Sequence, residues 1–151
     1  VATTEQQLIG WREWVTLTDF AATRIKAKVD TGAKTSALHT YYVTPFDRDG
    51  EAWVKFGLHP LQGCGASSIE CEAPIKDRRQ VTDSGGHREW RFVIETTITL
   101  KERQFTIEIT LTDRENMRFR MLLGRSALRQ GYVVDSAKSF VLGGSKSEPP
   151  V

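Results

Sequence analysis

Cysteine is nearly absent from this chain, and with it the chance of a disulfide framework. The two that occur, Cys64 and Cys71, would close a small local loop if paired and suit an extracytoplasmic home. Reduced, they would suit the cytoplasm, and the sequence leaves both open. No apolar run approaches the ~18–20 residues of a membrane span, so a soluble segment is expected. There is no G-x-x-x-x-G-K-[ST] loop to hold a nucleotide's phosphates. An H-E-x-x-H helix and a C-x-x-C knuckle are also lacking; His39, His59, Cys64, Cys71 and His87 are scattered, and no metal or other cofactor is expected. A net charge of +2 is too small to argue for nucleic acid, which wants a clustered basic stripe with interleaved aromatics. The chain opens Val1-Ala2-Thr3-Thr4 without a methionine, as a processed or trimmed chain would.

What the chain does carry is alternation. Apolar and polar residues change places with period 2 over 12–17, 24–29, 53–58, 72–81, 91–100, 104–111, 121–123, 132–134 and 139–142, which predicts strands there and an all-β fold. The clearest hairpin sets Phe92, Ile94, Ile98 and Leu100 against Phe105, Ile107, Ile109 and Leu111, joined around 101–103, with Thr and Glu on the solvent face. Ser126-Ala127-Leu128-Arg129-Gln130, closed by Gly131, is the one helical segment. Residues 1–7 and the proline-bearing 145–151 read as frayed ends. At 151 residues the chain fits one domain, with an ordered core over 10–143.

The chemistry is expected at 25–40. Ile25, Ala27 and Val29 alternate with Arg24, Lys26 and Lys28, and the strand stops at Asp30-Thr31-Gly32-Ala33. An acid at a strand end, followed by a small hydroxyl residue and a glycine, sits in a tight turn where backbone N–H groups can point at its oxygens. An ordinary Asx turn has the same residues. Downstream, Met121-Leu122-Leu123-Gly124-Arg125-Ser126-Ala127-Leu128 forms a second strand, turn and helix.

D-T-G-A followed by an apolar run and Gly-Arg resembles the retropepsin-like aspartic peptidases. The blocks Gly10-Trp11-Arg12-Glu13-Trp14-Val15, Lys28 to His39, His59-Pro60-Leu61-Gln62, Asp77 to His87 and Arg120 to Arg125 extend the likeness to a bacterial branch labelled ATP-dependent zinc proteases, often encoded beside ATP-grasp ligases of the RimK type. The likeness spans 10–143. It implies a retropepsin-like barrel, with 45–74 as an insertion and a short helix after the Gly-Arg turn. The implied activity is that of an aspartic endopeptidase with Asp30, Thr31 and Gly32 catalytic, Ala33 at the substrate, and Gly124 and Arg125 structural. The mechanism needs two carboxylates sharing a proton. One D-T-G-A per chain therefore implies a homodimer, with Thr31 reaching across the two-fold axis and Gly32 bringing its N–H to the carboxylate.

Asp83-Ser84-Gly85-Gly86 falls where such a fold has its flap, so Ser84, Gly85 and Gly86 are expected over the substrate; a plain surface turn has the same composition. The sequence departs from the family at Lys34, where many retropepsins carry the acid that pairs with the arginine of the Gly-Arg turn. Arg125 must then find another partner. Arg78, Arg79, Arg88, Arg91, Arg114, Arg118, Arg120 and Arg125 gather in the second half. If Arg88 and Arg91 face the cleft, the peptide or protein substrate is acidic. Two other readings stay open: a non-catalytic module holding acidic peptide for an ATP-grasp ligase, and a zinc-dependent hydrolase.

Overall fold

The computed structural model describes residues 6–59, 68–82, 85–113 and 119–143. Among them, strands dominate: β1 (Gln7–Gly10), β2 (Arg12–Leu17), β3 (Thr23–Val29), β4 (Ser36–His39), β5 (Tyr42–Arg48), β6 (Glu51–Leu58), β7 (Ile69–Pro74), β8 (Asp77–Thr82), β9 (Arg88–Leu100), β10 (Arg103–Thr112), β11 (Met121–Leu123) and β12 (Tyr132–Asp135), with one helix, α1 (Arg125–Leu128). No helix among them is long and apolar enough to cross a membrane.

Six strands close on themselves in the order β10-β4-β11-β3-β2-β9, because β9 also pairs with β10, and β8 extends the sheet from the first half of β9. Closure removes the free edges that an open sheet would present. The predicted β9–β10 hairpin forms with Phe105 opposite Ile98 and Ile109 opposite Ile94. Lys101 takes the left-handed φ of 58° that its tight turn needs. Inside the ring lie Val15, Leu17, Ile25, Ala27, Leu38, Ile94, Ile98, Ile109, Met121 and Leu123. Each fully buried aliphatic side chain there stabilises the fold by about 1.5–3 kcal/mol.

Most of 45–74 lies in a three-stranded antiparallel sheet, β5-β6-β7. Asp49 and Gly50, both at positive φ, make the β5–β6 turn, a conformation that Asp-Gly adopts readily. Val54, Phe56, Leu58, Cys71 and Ala73 join the common core, and Phe56 meets Phe20 edge-on at 5.3 Å.

Three expectations are corrected. The single strand over 72–81 is two, β7 and β8, in different sheets. They are separated at Ile75 and Lys76, whose N–H groups go to Ala52 O (2.9 Å) and Val93 O (2.8 Å). Gln7, expected to fray, opens β1, which pairs in parallel with β12. Residues 139–142 form no strand. The N–H groups of Val141 and Leu142 donate to the buried carboxylate of Glu13 (2.9 and 3.1 Å), which also accepts from Gly10 N–H at 2.7 Å. A side chain therefore takes the hydrogen bonds a neighbouring strand would have taken. The strap passes so close that a Cβ on Gly10 would lie 2.4 Å from Lys138 O, which only glycine avoids.

Candidate active site

Asp30 extends the β3–β11 pairing by one residue, since its N–H donates to Leu123 O at 2.9 Å. The chain then turns, and Gly32 N–H donates to Asp30 Oδ1 at 3.0 Å, so the expected carboxylate-capped turn forms. Asp30 is half-buried, and Thr31, Gly32 and Lys34 are exposed. Strand β11 lies between β3, parallel to it, and β4, antiparallel to it. The 30–35 loop thus leaves one neighbour of β11 and returns along the other.

The two loops predicted to cooperate are bonded to each other at several points. Arg125 N–H donates to Ala33 O (2.8 Å), Ser126 N–H to Lys34 O (2.9 Å), and Gly124 N–H to Oγ of the buried Ser36 (3.0 Å). A Cβ on Gly124 would stand 2.7 Å from Thr35 C and 2.9 Å from Thr35 O, so this approach requires glycine. Arg125, lacking an acid at position 34, donates from Nη1 to Thr31 O at 2.9 Å. Its guanidinium braces the turn through a carbonyl where the resemblance led one to expect a carboxylate. Asp30, Thr31, Gly32, Ala33, Gly124 and Arg125 are therefore one construction. It presents a carboxylate on a loop bonded at several points to the Gly124-Arg125 turn.

Gly85, Gly86, Arg88 and Arg91 lie on another element, the β8–β9 hairpin, where Thr82 stands opposite Arg88. Gly85 and Gly86 are at its exposed tip, Gly86 with a φ of 84°. Ser84 falls outside the described residues, as do Arg114 and Arg118. Arg88 is exposed. Arg91 is only 12% exposed and pairs with Glu89 at 2.5 Å, and Glu89 also accepts from Thr112 Oγ1 at 2.9 Å. Arg79 bridges Asp77 (2.6 Å) and Glu108 (2.9 Å), and the buried Arg120 donates to His59 O at 2.8 Å. Much of the arginine charge is thus neutralised or used within the fold.

Beside this hairpin lies a cleft of about 170 Å³ lined by Val43, Glu89, Trp90, Phe92, Leu111, Thr112 and Asp113. Sequence reasoning missed it. Its one available signal was Trp90, a large aromatic in a polar strand end, which is 58% exposed and carries the Arg78 guanidinium 4.8 Å above its ring.

Among the described residues, those considered for zinc do not assemble a site for one. Among the described residues no three of His, Cys, Asp or Glu converge to hold a metal. The Cys71 thiol is buried and pushed up to about 12, first by burial and then by the charge of Glu70, which disfavours the thiolate a metal needs. The His59 ring is stacked on Tyr41 at 4.1 Å. Cys64 lies outside the described residues.

Comparison with known proteins places these features in a family. Residues 8–144 match the model of the RimB-like family, described as retropepsin-like aspartic endopeptidase RimB. The chain is 43% identical over 136 residues to a "Probable alpha-L-glutamate ligase" of Shewanella pealeana, covering 90% of this chain and 30% of that one. It is 41% identical over 138 residues to a protein of the same name from Desulfotalea psychrophila, covering 91% and 30%. The chain thus spans about a third of the length of these relatives. A crystal structure of a Legionella pneumophila protein of unknown function superposes with a TM-score of 0.75 at 26% identity, covering 90% of this chain and 98% of that one.

Proposed function

The chain belongs to the RimB-like family of retropepsin-like aspartic endopeptidases, and from that premise we propose that it cleaves peptide bonds as a homodimer, with Asp30 from each copy meeting at one site. The observation that carries this is the Asp30 turn: a half-buried carboxylate, oriented through Oδ1 by Gly32 N–H, on a loop bonded to the Gly124-Arg125 turn. Two carboxylates brought close cannot both be charged comfortably, so the pair holds one proton. The ionised Asp30 takes a proton from water as its oxygen attacks the peptide carbonyl. The protonated Asp30 of the second copy donates to the carbonyl oxygen. Collapse of the tetrahedral intermediate breaks the C–N bond as the first Asp30 passes the proton it took from water to the leaving nitrogen and the second takes a proton back from a hydroxyl of the intermediate. Thr31 reaches the second copy, Ala33 lines the substrate, and the Gly85-Gly86 tip covers it as a flap with glycine freedom.

An acidic peptide is the substrate class we favour. Relatives named as glutamate ligases over a span that this chain shares make a link with an ATP-grasp ligase the natural one, and the exposure of Arg88 on the hairpin supports a role for it in meeting a carboxylate. Arg91, already neutralised by Glu89, is a weaker candidate for that role. The second reading is a domain without catalysis that holds acidic peptide for such a ligase, and the ligase-named relatives are what favour it. Asp30→Asn separates the two. On the first reading it abolishes hydrolysis of an acidic peptide while the melting temperature and oligomeric mass stay as they were, because the amide keeps the shape and loses the shared proton. Hydrolysis retained within a factor of a few would remove the aspartic mechanism.

A further inference from the structure

The outer face of the β2–β3 hairpin carries a charge pattern that no part of the proposed peptidase mechanism uses. In the register of this pair Arg12 stands opposite Lys28, Trp14 opposite Lys26 and Thr16 opposite Arg24. Directly opposed residues share a face, so four cations, a tryptophan and a threonine lie together, with no acid at those six positions. Five cations elsewhere have carboxylate partners: Arg48 with Glu72, Lys55 with Glu70, Lys76 with Glu95, Arg79 with Asp77, Arg91 with Glu89. Among the described residues, none of Arg12, Arg24, Lys26 and Lys28 has one within ion-pair distance.

Two of the four are held in place by rings. The Arg12 guanidinium lies 4.6 Å from the Trp11 ring centre and 5.1 Å from that of Phe140, and its Nε donates to Ser139 Oγ at 3.1 Å. Lys26 Nζ lies 6.0 Å from Trp14 and 5.8 Å from Phe119. Burial, and then the charge of Arg12, hold the Lys26 ammonium below its ordinary value. A partly buried ammonium beside a second cation behaves in this way. Lys28 is exposed, Arg24 half-buried, and β3 leads directly into Asp30.

We propose that this face, built from Arg12, Arg24, Lys26 and Lys28, is an exosite that binds an acidic polypeptide segment. Cations that have no counter-charge among the described residues are complementary to a chain of carboxylates, whose side chains in extended form repeat every second residue as those of β3 do. A nucleic acid is the poorer fit. Trp14 and Phe119 are buried and offer no ring face for a base to stack on, and the net charge of +2 is small for phosphate binding. The proposal rests on the reading above for the acidic ligand and not for catalysis, so binding is measured in the Asp30→Asn protein, where no cleavage intervenes.

The probe is a fluorescein-labelled oligoglutamate peptide followed by fluorescence anisotropy. Arg24→Gln with Lys28→Gln should weaken binding by roughly fivefold to tenfold at low salt, and the difference should shrink as salt screens it. Lys28→Gln alone, at an exposed position, should weaken it in the same direction by less. Lys55→Gln, on the β5-β6-β7 sheet, should leave it unchanged. Melting curves of all three should match the parent. No binding of oligoglutamate by the parent, or binding by the double variant within a factor of two of the parent, would overturn the proposal. So would tighter binding of oligouridylate than of oligoglutamate at equal salt, which would make the face a nucleic-acid surface. Loss of cleavage in Asp30→Asn decides the catalytic reading separately, whatever the anisotropy shows.

Discussion

Glu13 shows how much one side chain can determine. Fully buried, its carboxylate receives three backbone N–H groups, from Gly10, Val141 and Leu142, and so fastens the 138–142 strap to β2. Removing an acceptor strands its donors, and a buried polar group without a partner costs about 1–3 kcal/mol. Glu13→Ala should therefore destabilise the protein by on the order of 3–5 kcal/mol, seen as a lowered denaturant midpoint. Glu13→Gln, which keeps one acceptor oxygen, should cost less than Glu13→Ala. Gly124 is the corresponding residue at the candidate site. Gly124→Ala pushes a methyl against the Thr35 carbonyl and should displace the Asp30 loop. We expect it to cut hydrolysis by about a hundredfold or more, a loss larger than its fall in melting temperature would explain. Activity at the parental level would mean that this close approach is not needed for the site.

At the scale of elements, β8 is secured to its neighbours by charge as well as by its ladder to β9. Arg79 pairs with Asp77 and reaches Glu108 on β10, and Lys76 reaches Glu95 and Glu108. The Arg79 hydrogen bond, helped by Lys76, holds Glu108 below its ordinary value of 4.5, and the same guanidinium with Arg78 N–H lowers Asp77 from 3.8. A lowered carboxyl contributes stability that is fully present above its unfolded value and is lost as pH falls through the folded one. The melting temperature should accordingly hold above about pH 5 and decline below 4.5. Glu108→Gln should lower the plateau slightly and flatten the decline, since these exposed pairs are individually weak. An unchanged slope in Glu108→Gln would assign the acid sensitivity to other carboxylates.

For the whole molecule, the proposed shared-proton mechanism, with one D-T-G-A in this chain, makes assembly a condition of catalysis. The β1–β12 pair offers a place for it. Leu8 and Val133 stand opposite each other, at 37% and 43% exposure, on a sheet that has two strands among the described residues, and sheet edges are where other strands add. If the active form is a dimer, specific activity should fall on dilution through the dimer dissociation constant, in step with sedimentation. Leu8→Asp with Val133→Asp should shift both toward monomer while the melting temperature stays close to that of the parent. Activity that is independent of concentration in a monomeric species would leave a single Asp30 per site and exclude the shared-proton mechanism.

Alternation along the chain by itself determined which side chains face the core. Strands β2, β3, β9 and β10 and the hairpin between the last two were legible for that reason. So was the Asp30 turn, because an acid, a hydroxyl residue and a glycine can do little else at a strand end. Tertiary structure decided what depends on neighbours. The four residues of β4 and the three of β11 are too short to declare their own pairing, and they acquire it from β3 and β10 on either side. Residues 139–142 alternate like a strand, yet their N–H groups turn to Glu13, a partner more than a hundred positions away. Arg125 found the Thr31 carbonyl for the same reason: a guanidinium binds whichever acceptor the fold brings within reach. Arg12 belongs to one strand and Arg24, Lys26 and Lys28 to the next, and only the register of the hairpin gathers them onto one face. Charge patterns across strands are invisible until the pairing is known, because sequence separation carries no information about which residues stand opposite.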